Sequence, residues 1–497
     1  MTFKRSSGIL LHPSSLPGPY GIGDLGPQAF RFVDWLSSTG CKLWQVLPLG
    51  PTGYGDSPYQ CFSAFAGNPY LISPDDLVAD GLLTQSDLDG MKDLPASHVN
   101  FGMVIPRKLD LLQKAFSTYQ SHPEQLRPAF VYFCAENAYW LDDYTLFMAL
   151  KESNGGGAWN GWPESLRSRK KTAIRKAQKE LSETVMRYAF YQFIFFREWN
   201  KLRAYANERG IQIIGDIPIF VAHDSADVWA HPELFFLDQS GKPTVVAGVP
   251  PDYFSATGQL WGNPLYRWKE HKASGYAWWL DRIRTVLNLV DFIRLDHFRG
   301  FAGYWEVPGN AKTAVKGKWK KGPGKDFFFV VKKALGDLPI IAEDLGVITP
   351  DVVAIREGFN LPGMKILQFA FDGEPDNPFL PHNYVTNCVA YTGTHDNDTV
   401  LGWYQRVPEG EKSYYRRYMD HDGSQVSWDL IRGVWASVAI FALAPIQDFL
   451  QLDNTARMNY PGNPSGNWTW RMAEGSASET LQRRILEMNQ LYGRLKQ

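Results

Sequence analysis

The stretch FIRLDH, residues 292–297, is a short apolar run that leads directly into charged residues. Side chains two positions apart on a strand share a face, so Arg294 and Asp296 point one way while Ile293 and Leu295 point the other. A guanidinium this close favours the ionised carboxylate, which suits a nucleophile. The alternative is a buried structural ion pair without a chemical role.

Seven further apolar, β-leaning runs resemble this one. Most of the eight are nearly continuous hydrophobic segments, as in strands covered on both faces. Helical patterns precede several of them, and strands that alternate with helices favour a parallel sheet. Eight such strands predict a closed (β/α)₈ TIM barrel. An open doubly wound sheet is the alternative, but its usual GxGxxG turn does not occur. The eight runs are Gly8–Leu11, Lys42–Leu47, Ile211–Ile214, Val290–Leu295, Ile340–Ala342, Met364–Ala370, Cys388–Tyr391 and Val438–Leu443.

Uneven spacing between the runs predicts the domain organisation. We expect one catalytic barrel over residues 1–497, with large insertions that form subdomains over the C-terminal face of the barrel. Residues 48–210 are predicted to be a mainly helical insertion between the second and third strands, and residues 217–289 an insertion between the third and fourth. Four loops rich in glycine, proline and aromatic residues are expected to be functional. They are Pro48–Tyr70, Asn154–Pro163, Ser240–Trp268 and Met458–Trp470.

Composition excludes several classes of function. Lys and Arg number 51 against 52 Asp and Glu, so no net field attracts nucleic acid or an anionic membrane. The lysines of residues 310–325 are interpreted as a solvated, mobile loop. The longest apolar run, Val434–Ile446, is too short to span a membrane, and the four cysteines show no CxxC spacing, which predicts a cytoplasmic protein. Aromatic residues make up 14% of the chain, an abundance that suits flat apolar partners such as pyranose rings.

A second acidic segment is IIAEDLG, residues 340–346. Glu343 shares its strand face with Ile341, and an apolar neighbour raises the pKa of a carboxyl group. That is the property of a general acid that works near neutral pH. The alternative is an ordinary strand end, where Asp344 caps a helix and Glu343 is solvated.

The third segment is TGTHDNDT, residues 392–399, a polar elbow that an apolar core would reject. It could instead begin a helix capped by Asn397 or Asp398, or form a metal loop, although EF-hand spacing is absent. Asp296, Glu343 and Asp396 would then stand at the C-terminal ends of the fourth, fifth and seventh strands, where barrel enzymes hold their catalytic groups. Two carboxyl groups in different environments within an aromatic cleft indicate cleavage of glycosidic bonds.

These segments resemble the catalytic blocks of a known family. FIRLDHFRG (292–300), AEDLG (342–346) and TGTHDNDT (392–399) are similar to those of the amylomaltases, the 4-α-glucanotransferases of glycoside hydrolase family 77. Asp216, in IIGDIPIFVAHDSADVW (213–229), resembles a further acidic block of that family. The likeness extends to HPSSLPGPYGIGDLG (12–26), LPLGPTGYGDSPYQCFSAFAGNPYLI (47–72), PPDYFSATGQLWGNPLYRW (250–268) and ARMNYPGNPSGNW (456–468).

The resemblance implies a role for each matching residue. Asp296 would be the nucleophile, Glu343 the acid/base and Asp396 the transition-state stabiliser. It implies no metal and no organic cofactor, and as partners the α-1,4-glucans: maltooligosaccharides, amylose and glycogen-derived chains. A glucan hydrolase with the same carboxylates and a non-catalytic glucan-binding barrel remain the alternatives. The residues expected to bind substrate are Arg294 and His395 beside the donor sugar, Asp216, Tyr54, Ser57, Tyr59, Asp252, Tyr253, Gln259 and Trp261 along the groove, and Asn463, Asn467 and Trp468 on its opposite wall.

Overall fold

Eight parallel strands close into a barrel in a computed structural model that describes residues 3–251 and 255–495. Each strand pairs with its neighbours in the sequence, and the last strand pairs with the first. The predicted (β/α)₈ barrel is therefore confirmed. The strands are β1 (Ser6–Leu10), β2 (Leu43–Gln45), β3 (Gln212–Ile217), β4 (Phe292–Leu295), β5 (Ile340–Ala342), β6 (Gly363–Ile366), β7 (Cys388–Tyr391) and β8 (Phe441–Pro445).

Side chains from seven of these strands fill the barrel interior. Because a strand alternates its faces, the inward position after Phe292 is Arg294, and the one after Ile214 is Asp216. Apolar side chains thus pack the barrel and charged ones stand above them at its C-terminal mouth. The buried interior residues are Leu43, Ile214, Phe292, Ile341, Met364, Ile366, Val389, Tyr391, Phe441 and Leu443.

Helices surround the barrel between most of the strands. The β6–β7 connection, which is described throughout, contains only the 3₁₀ turns Leu367–Phe369 and Pro381–Asn383. Proline at the first helical position, as in Pro27–Ser38, supplies a backbone angle already suited to a helix. The helices around the barrel are Pro27–Ser38, Ser182–Glu208, Ala277–Leu289, Lys325–Leu335, Pro350–Gly358, Val400–Arg406, Glu409–Met419, Val426–Ala436, Ile446–Phe449 and Glu479–Leu491.

The chain between β2 and β3 is mainly helical. Within it, Arg169 takes a left-handed φ of 52° and separates two short helices, Glu164–Arg167 and Lys171–Glu180. The segment's helices before Ser182 are Pro74–Ala79, Phe101–Ser121, Arg127–Ser153, Glu164–Arg167 and Lys171–Glu180, and the β3–β4 connection adds Ala226–Ala230 and Trp268–Ala273.

A small antiparallel sheet replaces two predicted loops. Two of its strands, Val245–Val249 and Gln259–Pro264, lie within the expected loop Ser240–Trp268. The other two are Gly303–Pro308 and Lys318–Lys321, so part of the lysine-rich segment is a paired edge strand and not a loop, although its lysines are mostly exposed. Trp319 on that strand packs against Trp305 with ring centroids 5.3 Å apart, which holds the segment to the sheet.

Candidate active site

A buried ion-pair network occupies the mouth of the barrel. Arg294 on β4 pairs through Nη1 with Asp216 on β3 at 2.6 Å and through Nη2 with Asp296 at 2.7 Å. The side chains of Arg294 and Asp216 are 4% and 0% exposed, whereas that of Asp296 is 28% exposed. Burial raises the pKa of Asp216 to about 6 even though Arg294 opposes the shift. Of these three groups, Asp296 is the most exposed to a ligand.

The turn after β4 holds Glu343. The backbone N–H of Asp296 donates to the Ile217 carbonyl at 2.9 Å, and His297 then takes a left-handed φ of 50°. This turn aims the His297 N–H at Oε2 of Glu343, 2.8 Å away, while the N–H of Leu345 donates to Oε1 at 3.0 Å. Both oxygens of Glu343 are therefore oriented by main-chain donors, one of them from the residue beside Asp296.

The environment of Glu343 favours its neutral form. Burial raises the pKa of Glu343 to about 8, and the negative charge of Asp296 adds to the rise. Arg294 and the two backbone donors oppose the shift without cancelling it. A carboxyl group that is protonated at pH 7 thus stands beside one that is ion-paired with an arginine. Groups in such different environments can act as acid and nucleophile.

Asp396 completes the set of acids from a loop beyond β7. His395 Nε2 lies 3.3 Å from its Oδ2, and the amide of Asn459 donates to its Oδ1 at 2.6 Å. Burial alone would raise the pKa of Asp396, but the imidazole, the amide and Arg294 together hold that pKa below its usual range. Asp396 is therefore an anion whose side chain, 42% exposed, is accessible to a ligand.

The helix cap considered for the polar elbow is not the one that the structure shows. Thr399, and neither Asn397 nor Asp398, caps the following helix. Asp398 turns away from Asp396 to pair with Arg406 and Arg457. In the AEDLG segment, likewise, Asp344 binds Arg356 at 2.6 Å and the Met364 N–H at 2.7 Å and caps no helix.

An aromatic wall stands beside Asp396. The ring of Tyr59 stacks on His395 with centroids 5.2 Å apart, and Trp468 lies 5.8 Å from both rings. The Tyr59 hydroxyl donates to Asp216 Oδ2 at 2.8 Å, which connects this wall to the ion-pair network. The rings of Trp261 and His297 form a T-shaped contact with centroids 4.8 Å apart, and the Trp261 indole N–H donates to Gln259 at 3.2 Å. Predicted binding residues from five segments thus converge around the acids.

Two loops meet above this wall. A Cβ added to Gly55, whose φ is 66°, would lie 2.8 Å from the Pro464 carbonyl, so the Pro48–Tyr70 and Met458–Trp470 loops touch at that point. Ser57 braces the first loop by accepting from the Tyr59 N–H at 3.2 Å.

The remaining predicted residues differ in their exposure. Tyr54 is 76% exposed at the edge of the site. Asn467 is buried and ties the second loop together by donating to the Asn463 carbonyl at 2.9 Å, while Asn463 itself is exposed. Asp252 and Tyr253 lie outside the described residues.

Sequence reasoning missed two residues of the site. Asn459, which binds Asp396, stands in the quoted ARMNYPGNPSGNW motif but carries no charge that would single it out. His12, just beyond β1, is buried near His395; burial and that neighbour lower the pKa of His12 to about 3. The feature of the sequence that could have identified His12 is its position after an apolar strand.

A closed (β/α)₈ barrel with two carboxyl groups in different environments at its mouth is typical of enzymes that act on glycosidic bonds. A family model described as 4-alpha-glucanotransferase matches residues 11–477. The chain therefore belongs to that family, glycoside hydrolase family 77, and is an enzyme of the 4-α-glucanotransferase type. The predicted family and activity are confirmed.

Individual relatives agree with this assignment over the full length. The 4-alpha-glucanotransferase of Thermus thermophilus is 51% identical and covers 100% of both chains. That of Synechocystis sp. is 49% identical and covers 99% of each. Among solved structures, the amylomaltase of Streptococcus agalactiae in complex with acarbose matches with a TM-score of 0.96 and 40% identity, over 99% of this chain and 100% of that one. Within residues 3–251 and 255–495, no helix has the length and apolar character needed to cross a membrane.

Proposed function

We propose that this enzyme transfers a segment of an α-1,4-glucan to the 4-hydroxyl of a second glucan or of glucose, with Asp296 as nucleophile and Glu343 as acid/base. One observation carries the proposal. Asp296 is ion-paired with Arg294, while the adjacent Glu343 has a pKa raised to about 8. A charged and a neutral carboxyl group side by side are what a retaining double displacement requires.

In the first step, Glu343 gives its proton to the glycosidic oxygen as the bond to the anomeric carbon breaks. Arg294 holds Oδ1 of Asp296, so we assign the attack on the anomeric carbon to Oδ2. The products are a covalent glycosyl-aspartate and a free glucan with a new 4-hydroxyl. Asp396 remains an anion throughout and stabilises the positive charge that develops on the sugar ring.

In the second step, Glu343 is ionised and removes the proton from the 4-hydroxyl of the incoming glucan. The acceptor oxygen displaces Asp296 from the anomeric carbon, and Glu343 regains its proton. Two inversions at one carbon retain the α configuration. Arg294 and His395 are assigned to the donor sugar, and the aromatic wall of Tyr59 and Trp468 to the glucan chain.

Transfer instead of hydrolysis requires an acceptor that reacts faster than water. A bound and oriented hydroxyl can do so, because effective molarities reach roughly 10⁵ M or more. We assign the exclusion of water to the two loops that meet at Gly55 and Pro464. If those loops failed to exclude water, the same carboxyl groups would make the protein a glucan hydrolase.

Substrates, location and organisation complete the proposal. We infer that maltooligosaccharides, amylose and glycogen-derived chains are substrates; acarbose bound to the Streptococcus agalactiae relative supports a groove for such sugars. Free thiols at Cys41, Cys61, Cys134 and Cys388 support a cytoplasmic location. We also propose that residues 1–497 act as one catalytic unit, with residues 48–210 and 217–289 as its two insertions.

Incubation with maltotriose tests the proposal. Transfer yields glucose together with maltopentaose and longer oligomers, which chromatography separates. Hydrolysis yields only glucose and maltose and would make the protein a hydrolase. Binding of maltotriose without any product would support the non-catalytic barrel.

A further inference from the structure

The position of Asp396 needs an explanation because no strand carries it. It lies five residues beyond the last residue of β7, on a loop whose first turn is closed by Asn397 Oδ1 accepting from the Thr394 N–H at 2.8 Å. Asp296 and Glu343, by contrast, directly follow their strands. Contacts from elsewhere in the chain must therefore fix the orientation of Asp396.

Asn459 supplies the first of these contacts. Its side-chain amide donates to Oδ1 of Asp396 at 2.6 Å, and its backbone N–H donates to the His395 carbonyl at 3.2 Å. Asn459 therefore binds both the loop that carries the acid and the acid itself. Its own position depends in turn on a neighbour two residues earlier in the chain.

That neighbour, Arg457, joins the two segments with a single guanidinium. Nη2 donates to the Asp396 carbonyl at 2.5 Å, Nε donates to the Asn459 carbonyl at 2.7 Å, and Nη1 forms an ion pair with Asp398. The guanidinium also stacks on the Tyr460 ring, 4.3 Å from its centroid. The Arg457 side chain is 12% exposed, so water offers little replacement for these contacts.

We propose that Arg457 is a positioning residue that acts through Asn459 to hold Asp396 against the donor sugar. The proposal rests on the proposed function, since it assigns Asp396 to the transition state. Three acceptors at three angles need the planar fork of an arginine, whereas a lysine offers one ammonium at one point. Arg457→Lys therefore keeps the charge and loses the geometry.

Arg457→Lys and Asn459→Ala test the inference with maltotriose as substrate. A misplacement of about 1 Å costs roughly 10²-fold in rate, so we expect kcat to fall by about that factor in each variant while KM changes less than about threefold. The double variant should be no slower than the slower single variant, because both residues act in series on one carboxylate. Multiplied losses in the double variant would overturn the proposal.

A glucosyl fluoride separates positioning of Asp396 from a defect in the acid. Asp396 acts on the sugar ring whatever the leaving group, so the fluoride and maltotriose should lose rate by the same factor. Recovery of the rate with the fluoride would place the defect at Glu343 and overturn the inference. A lowered melting temperature with unchanged kcat would assign Arg457 a purely structural role and overturn it as well.

Arg406→Ala is the matched control. Arg406 also pairs with Asp398, at 3.1 Å, but its side chain is 64% exposed. In the part of the chain that the structure describes, Arg406 forms no hydrogen bond with Asn459 or with the Asp396 carbonyl. We expect its kcat to stay within twofold of wild type. If wild type transfers from maltotriose and both test variants match it, this inference fails and the proposed function stands. Absence of transfer by wild type would overturn both.

Discussion

The backbone N–H of His297 donates a 2.8 Å hydrogen bond to Oε2 of Glu343, so the residue beside one acid orients the other. Asp296 and Glu343 come from adjacent strands, β4 and β5, whose register places Leu295 opposite Ala342. The turn after β4 thus fixes both groups together. Any change in the His297 backbone would move the nucleophile and the acid at once.

The fall of kcat/KM at alkaline pH should follow the loss of the proton from Glu343. The first step needs the protonated acid, and the pKa of Glu343 is raised to about 8 by burial and by Asp296. Activity with maltotriose should therefore fall as pH rises through 8. A pH–rate series measures the pKa at which activity is lost. A pKa in the ordinary range of carboxyl groups would contradict the assignment of Glu343 as the acid.

Asp296→Asn should abolish transfer and leave the fold intact. The amide keeps the size of the side chain but is not a nucleophile, and losing a nucleophile costs more than about 10³-fold in kcat. Chromatography of maltotriose products and thermal unfolding measure the two effects. Asp281→Asn, on the outer helix Ala277–Leu289, is the control and should retain activity. Full activity of Asp296→Asn would remove this residue from the mechanism.

Glu343→Gln should affect substrates according to their leaving groups. Loss of a general acid costs roughly 10²- to 10⁴-fold with maltotriose. Fluoride leaves without a proton, so a glucosyl fluoride should form the covalent intermediate with a much smaller loss. The experiment compares the rate of fluoride release from the glucosyl fluoride with the rate of sugar release from maltotriose. Equal losses for both donors would show that Glu343 is not the acid.

Tyr59→Phe should separate the contribution of the Tyr59 ring to activity from that of its hydroxyl group. The ring keeps its contact with His395 but loses the 2.8 Å bond to Asp216, which favours the ionised form of that carboxyl. Hydrogen bonds to charged groups contribute about 1.5–3 kcal/mol, so kcat/KM should fall about 10- to 100-fold.

The acid limb of the Tyr59→Phe variant should also move to higher pH, because the pKa of Asp216 rises when the bond is lost. Tyr205→Phe, whose hydroxyl contacts Asp34 on an exposed helix surface, should change neither quantity. An unmoved acid limb in Tyr59→Phe would argue against a role for ionised Asp216.

Gly55→Ala should shift the enzyme from transfer toward hydrolysis. The added Cβ would press on the Pro464 carbonyl at 2.8 Å and separate the loops that cover the site, which admits water. We expect the ratio of new reducing ends to new long oligomers to rise severalfold.

Gly81→Ala controls for backbone strain in that experiment. Gly81 also has a positive φ, of 72°, but its added Cβ would meet no atom within 4 Å. It should keep the wild-type product ratio. Equal ratios in the two variants would exclude loop contact as the cause.

The sequence predicted most of the barrel because its signals are local. All eight apolar runs overlap barrel strands, since burial on both faces demands continuous hydrophobic residues. Alternation along β4 and β5 also placed Arg294 and Asp296 on one face, and Glu343 above Ile341. The break at Arg169 and the small sheet escaped prediction because each depends on a turn or a strand partner that no short window contains.

The order of the strands and the acids that follow them can be predicted from the sequence, because periodicity and strand length are properties of neighbouring residues. Ile341 indicated the direction of the Glu343 pKa shift, but its causes, burial and the charge of Asp296, 47 residues earlier in the chain, exist only in the folded barrel. Tertiary structure also brought Asn459 and Arg457 to Asp396, about 60 residues away. Electrostatic fields and hydrogen bonds depend on distance in space, and only the closed barrel sets those distances.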